Sequence, residues 1–243
     1  MKRKTQILFT VILYVLASPV ARHGGILASS SSKTSHPSPT LISATVCLPE
    51  GATVSSFGVG HAITPSIGIG ANYTLTVPKQ GDVMLHQFGG GLSIGVLLVR
   101  HGFPIEMSVV GSGSFMIASG LPIGVSQTGQ GYTVGLAFRR SLLLSNNVRV
   151  TATVTPLWTS WSSKLSIDGR EIDREVSKRN LWNANFSIGI RDLVSLTPDI
   201  TFGENIWDPG VSLMILNSVS LRADVAHNDG RTTPSFSIGL VIK

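Results

Sequence analysis

Hydrophobic and polar positions alternate one by one along most of this chain. In NNVRVTATVTPLW, Asn146 to Trp158, Val148, Val150, Ala152 and Val154 share one parity, and Arg149, Thr151, Thr153 and Thr155 share the other. Successive side chains of an extended strand point to opposite faces, so this period marks a strand with one apolar and one polar face. The pattern recurs at about 65–77, 90–100, 105–117, 131–139, 147–158, 180–191, 194–203, 207–216, 219–226 and 234–242. That predicts about ten strands, with eight or twelve as the neighbouring even counts. The connections run long (78–89), short (101–104), long (118–130), moderately short (140–146), long (159–179) and short (192–193), and the contrast fades beyond. Tight turns on one side and longer loops on the other describe an antiparallel up-and-down barrel with both termini on the tight-turn side. A Greek-key sandwich has no reason to alternate its connections.

The apolar parity has few large side chains, too few for rows from ten strands to fill a protein core, whereas lipid makes no such packing demand. Aromatic residues collect at the end where the longer loops fall: Phe88, Phe115, Tyr132, Trp158, Trp182, Phe202, Trp207 and Phe236. Most share the apolar parity of their strand, as a girdle at a membrane interface would. The other rim is poorer, with Phe103 and Phe138. The polar parity is small and uncharged over long stretches, from Ser66 to Thr76 and from Asn183 to Gly189. Its charges are the candidate lumen residues: Arg139, Arg149, Arg191 and Arg222 toward the tight-turn end, with Asp199 and Asp224 nearer the middle. They form either a constriction for solutes or an internal salt-bridge network. Pro156 and Pro198 stand inside strands, and Leu97 and Val99 fall on the nominally polar face.

Composition narrows the class. The chain has 243 residues, 13% of them charged, and a mean hydropathy of +0.30. Beyond residue 21 no window approaches the roughly 18 apolar residues of a membrane helix, so the hydropathy belongs to strands. MKRKTQILFTVILYVLASPVA has the basic start, apolar run and small residues of a signal peptide, residues 1–21. Residues 22–63, rich in Ser, Thr, Gly and Pro, read as a flexible segment whose ATVSSFGVG could be a short strand; the barrel is expected over 64–243. Cys47 is the single cysteine, so an intramolecular disulfide is excluded. The net charge of +6 bears on association, not on fold.

Signal peptide, strand-loop rhythm and a closing amphipathic strand, Phe236 to Ile242, resemble the small porin-like outer-membrane β-barrel proteins of Gram-negative bacteria. The likeness is one of class, without a motif of any single family, and the chain departs from the class in ending Val-Ile-Lys instead of in an aromatic residue. It implies a cell outer membrane location, contact with membrane lipid and lipopolysaccharide, insertion by the barrel-assembly machinery, and a narrow channel for small polar or anionic solutes or a structural surface role. A surface hydrolase built on Asp208, Asp224, His227 and Asp229 and a soluble secreted β-sandwich or lipid carrier are the alternatives. No cofactor, metal or nucleic-acid site is expected. The charged loop SSKLSIDGREIDREVSKRN contains apolar alternation around Asp168-Gly169, so it reads as a hairpin projecting beyond the membrane, open to a partner or to lipopolysaccharide phosphates.

Overall fold

A computed structural model describes residues 39–242 except 50, 65, 98–104, 192 and 229. Among the described residues are twelve strands: β1 (Thr40–Cys47), β2 (Ala52–Thr64), β3 (Ile67–Pro78), β4 (Met84–Leu97), β5 (Glu106–Ser119), β6 (Val125–Ser145), β7 (Val148–Ile167), β8 (Arg170–Ile190), β9 (Val194–Gly203), β10 (Ile206–Ile215), β11 (Val219–Asn228) and β12 (Arg231–Ile242). Each pairs antiparallel with its neighbours in sequence, and β1 pairs with β12 from Thr40↔Ile242 to Cys47↔Ser235, closing the barrel. The closed ring rules out a two-sheet sandwich.

The count is twelve, the upper of the counts allowed from the sequence, because residues 40–64, nearly all in the segment expected to be flexible, supply β1 and β2. The inward positions of these two strands include Ser43, Thr45, Ser56, Gly58 and Gly60, a composition that looks like a linker when the partner strands are out of view. The expected signal peptide and the leader as far as residue 38 lie outside the described residues. The stretches expected as long loops at 118–130 and 159–179 are mostly strand. β7 and β8 run on to a two-residue turn at Asp168 and Gly169, whose φ values of 49° and 77° are those of the type I′ turn that matches strand twist.

Directly paired residues trace the tilt. From Glu106 the row passes through Arg139, Thr153, Asn185, Asp199, Gly210, Asp224, Ser235, Cys47, Val54, Thr76 and Leu85, and returns to β5 at Ala118. A stagger equal to the number of strands implies a tilt of about 35° and a backbone radius of roughly 11 Å at ordinary strand spacings. The prolines fit this ladder because a residue in an antiparallel sheet aims its N–H and C=O at the same neighbour, so a proline breaks only one ladder. The β6–β7 pairing skips from Gly135↔Leu157 to Phe138↔Val154 around Pro156, and the β8–β9 pairing skips from Asn185↔Asp199 to Ile188↔Leu196 around Pro198. Pro209 interrupts β10–β11 in the same way, between Trp207↔His227 and Gly210↔Asp224.

Candidate functional site: the lumen and its rims

One face of every strand turns outward, and as far as the aromatic rim it is mainly apolar. Phe88, Phe115, Tyr132, Trp158, Trp182, Phe202, Trp207 and Phe236 all point away from the lumen, 41–61% exposed. Register aligns several of them. Phe57, Tyr73, Phe88 and Phe115 are direct cross-strand partners over β2 to β5, and Trp182, Phe202 and Trp207 are partners over β8 to β10. Phe57 and Tyr73 extend the rim beyond the residues picked out from the sequence. The Tyr73 ring lies 5.2 Å from that of Phe88, and its hydroxyl meets His86 Nδ1 at 2.8 Å. At the opposite end Phe138 faces outward, and Phe103 lies outside the described residues.

The inward face is divided between two walls. Strands β1 to β4 contain no Asp, Glu, Lys or Arg, and their inward positions include Gly58, Gly60, Gly68, Gly70, Gly89 and Gly91. The inward charges stand on β5 to β11. At mid-barrel the Arg222 guanidinium donates to Asp199 Oδ2 (2.8 Å), Asp224 Oδ2 (3.1 Å) and Ser212 Oγ (3.2 Å), and the Ser235 hydroxyl donates to Asp224 Oδ1 (2.5 Å). Both carboxylates are buried against the wall, and the planar guanidinium serves the two acids at once, with Asp199 Oδ1 left buried without a hydrogen bond among the described residues. Arg139 reaches Glu106 at 3.7 Å toward the end of the barrel where β5 begins. Arg149 shares the inward parity there but is exposed at the start of β7. Arg191 does not line the lumen. The strand ends at Ile190, so the alternation cannot be carried one residue further; Arg191 sits in the β8–β9 turn at φ 48°, exposed, donating to Asn147 Oδ1 at 2.6 Å.

Two apolar clusters inside the barrel are missing from the sequence reading. Val110, Ala137, Leu157 and Leu181 form one, with Ile206 against it; Leu85 and Met116 form the other, with Trp161. They fit because glycines on adjacent strands make room. A Cβ on Gly135 or Gly203 would lie 2.6 Å from Leu157 Cδ2 or Leu181 Cδ2, and one on Gly131 would lie 2.4 Å from the Trp161 ring. The only sequence signal was the inward parity of these leucines, masked by the expectation of a polar lumen.

The candidate hydrolase residues do not converge. Asp208 and Asp224 are buried on the inward face, whereas His227, three residues beyond Asp224 on the same strand, points outward and meets Thr232 Oγ1 at 3.2 Å; Asp229 lies outside the described residues. An odd spacing in a strand separates side chains onto opposite faces, so carboxylate and imidazole cannot act on one substrate.

A closed barrel with an apolar exterior, aromatic rows and a polar, charge-bearing interior defines a porin-like β-barrel of the outer-membrane type. Solved structures agree on this fold. The KdgM porin superposes with a TM-score of 0.52 at 9% identity, covering 84% of this chain and 99% of its own. The β domain of the Bordetella autotransporter BrkA gives 0.56 at 14% identity, over 85% and 98%, and the translocator domain of autotransporter NalP from Neisseria meningitidis gives 0.51 at 10%, over 92% and 94%. No protein-family model and no curated protein matches the sequence.

Proposed function

We propose that this chain is an outer-membrane barrel that provides a narrow passage for small polar solutes. The observation that carries this reading is the division of the lumen. A wall free of charge and lined with glycine faces a wall bearing Arg139, Asp199, Arg222 and Asp224, which leaves room along one side and polar groups along the other. At a backbone radius of roughly 11 Å, side chains fill much of the section, so the passage is far narrower than that of a 16-stranded porin. The KdgM porin has been solved in complex with disordered oligogalacturonate, which supports reading a barrel of this fold as a solute path. Insertion by the barrel-assembly machinery, with both termini on the periplasmic side, completes the proposal.

The test begins with expression in a Gram-negative host. The outer-membrane fraction should contain a band whose gel mobility changes on boiling, and the purified barrel should give small, stepwise conductances in a planar bilayer. A heat-modifiable barrel that carries no current would refute the passage while leaving the fold intact.

A further inference from the structure

The β7–β8 hairpin continues past the aromatic rim, and its outward face there carries cations and no acid. Beyond Trp158 and Trp182, the lipid-side parity places Lys178 opposite Ser160, Arg174 opposite Lys164 and Arg170 opposite Ile167. All four cationic residues are exposed. The parity continuous with the lumen carries Arg179 at the level of Thr159 and, among charged residues, only acids beyond it. Glu175 stands opposite Ser163, Asp173 opposite Leu165 and, past the bulge at Leu165/Ser166, Glu171 opposite Ser166.

Among the described residues, no acid of a neighbouring strand stands at the level of Lys164 and Arg174. On one side β6 presents Thr128 opposite Lys164 and Gln130 opposite Ser162. On the other, β9 ends at Gly203, paired with Leu181, and Glu204 follows in the turn below the level of Lys178. A merely solvated hairpin gains by mixing its charges, and like charges directly opposite on a strand pair are destabilising. Lys164 facing Arg174 therefore calls for an external anion. The register also sets its size. Lys178 and Arg174 are four residues apart, about 13 Å along the strand, and the series begins two residue pairs above the Trp158 level. A glycerophospholipid brings one phosphate to one depth. A headgroup with phosphates at successive depths matches the ladder.

We propose that the outward face of the β7–β8 hairpin binds the phosphorylated saccharide headgroup of an outer-leaflet glycolipid. Lys178 meets the phosphate nearest the hydrocarbon, and Lys164 and Arg174 meet those further out. This rests on the reading above that the barrel sits in the outer membrane with its termini inward.

The experiment uses the full chain, folded in neutral detergent, as wild type and as K164Q/R174Q/K178Q. Each is titrated with lipopolysaccharide and, in parallel, with phosphatidylglycerol. Wild type should bind lipopolysaccharide at least tenfold more tightly than the triple variant, with the difference shrinking as salt rises, and should bind phosphatidylglycerol weakly. Arg140→Gln, an exposed cation near the opposite end, should leave the affinity unchanged. Equal lipopolysaccharide affinity in wild type and triple variant would overturn the proposal, as would phosphatidylglycerol binding as tight as lipopolysaccharide. If wild type gives no heat-modifiable band, the barrel reading itself fails, a result distinct from a folded barrel without lipid preference.

Discussion

Arg222→Met should destabilise the folded barrel by about 3–5 kcal/mol, the usual cost of removing one partner from a buried ionic cluster. Asp199 and Asp224 would then face each other across Gly210 with no cation between them, because the guanidinium supplies a hydrogen bond to each. The loss should be seen as a lower temperature for conversion of the compact band to the unfolded one. Adding Asp199→Asn and Asp224→Asn to Arg222→Met should recover most of it, since neutral groups leave no charge stranded. If the single variant melts like wild type, the network contributes nothing to holding the wall. The same substitution leaves two acids where one cation stood between them, so in a bilayer the reversal potential should move toward cation preference, and the triple variant should reverse that shift.

The second large effect is expected at Gly135. A Cβ there falls 2.6 Å from the carbonyl oxygen of Pro156 and 2.6 Å from Leu157 Cδ2, and the backbone atom cannot step aside without parting β6 from β7. The pairing is already interrupted next to this point by Pro156, so little ladder remains to absorb the shift. Gly135→Val should cost about 3 kcal/mol or more and sharply reduce the heat-modifiable fraction. Gly113→Ala is the control, because a Cβ there has Gly131 O no nearer than 3.9 Å. Equal folded yields of the two variants would show that β6 and β7 tolerate separation at this level.

Much of the architecture is legible from residue parity alone. The alternation from Val148 to Val154 sets which side of β7 meets lipid, and Asp168-Gly169 between alternating segments marks the hairpin turn found there. Legibility fails where a feature belongs to two strands at once. The strand β1 reads as a linker because Ser43 and Thr45 acquire meaning only beside Gly239 and Ser237 of β12. Leu157 and Leu181 lie inward because Gly135 and Gly203, distant in sequence, leave space for them. The ion network is intermediate. Arg222 and Asp224 share a face by their spacing, but their link to Asp199 depends on the register from β9 through β10 to β11.

The join between β1 and β12 sets how the molecule comes into being and comes apart. It is made by an eight-residue strand, whereas β7 and β8 face each other over strands of 20 and 21 residues. Until that join forms, two rows of backbone amides and carbonyls stand unpaired, and in hydrocarbon each such group costs several kcal/mol. The sheet therefore has no comfortable partly zipped form in the bilayer. Its persistence once inserted is a matter of rate more than of equilibrium, governed by the opening of the short seam between β1 and β12.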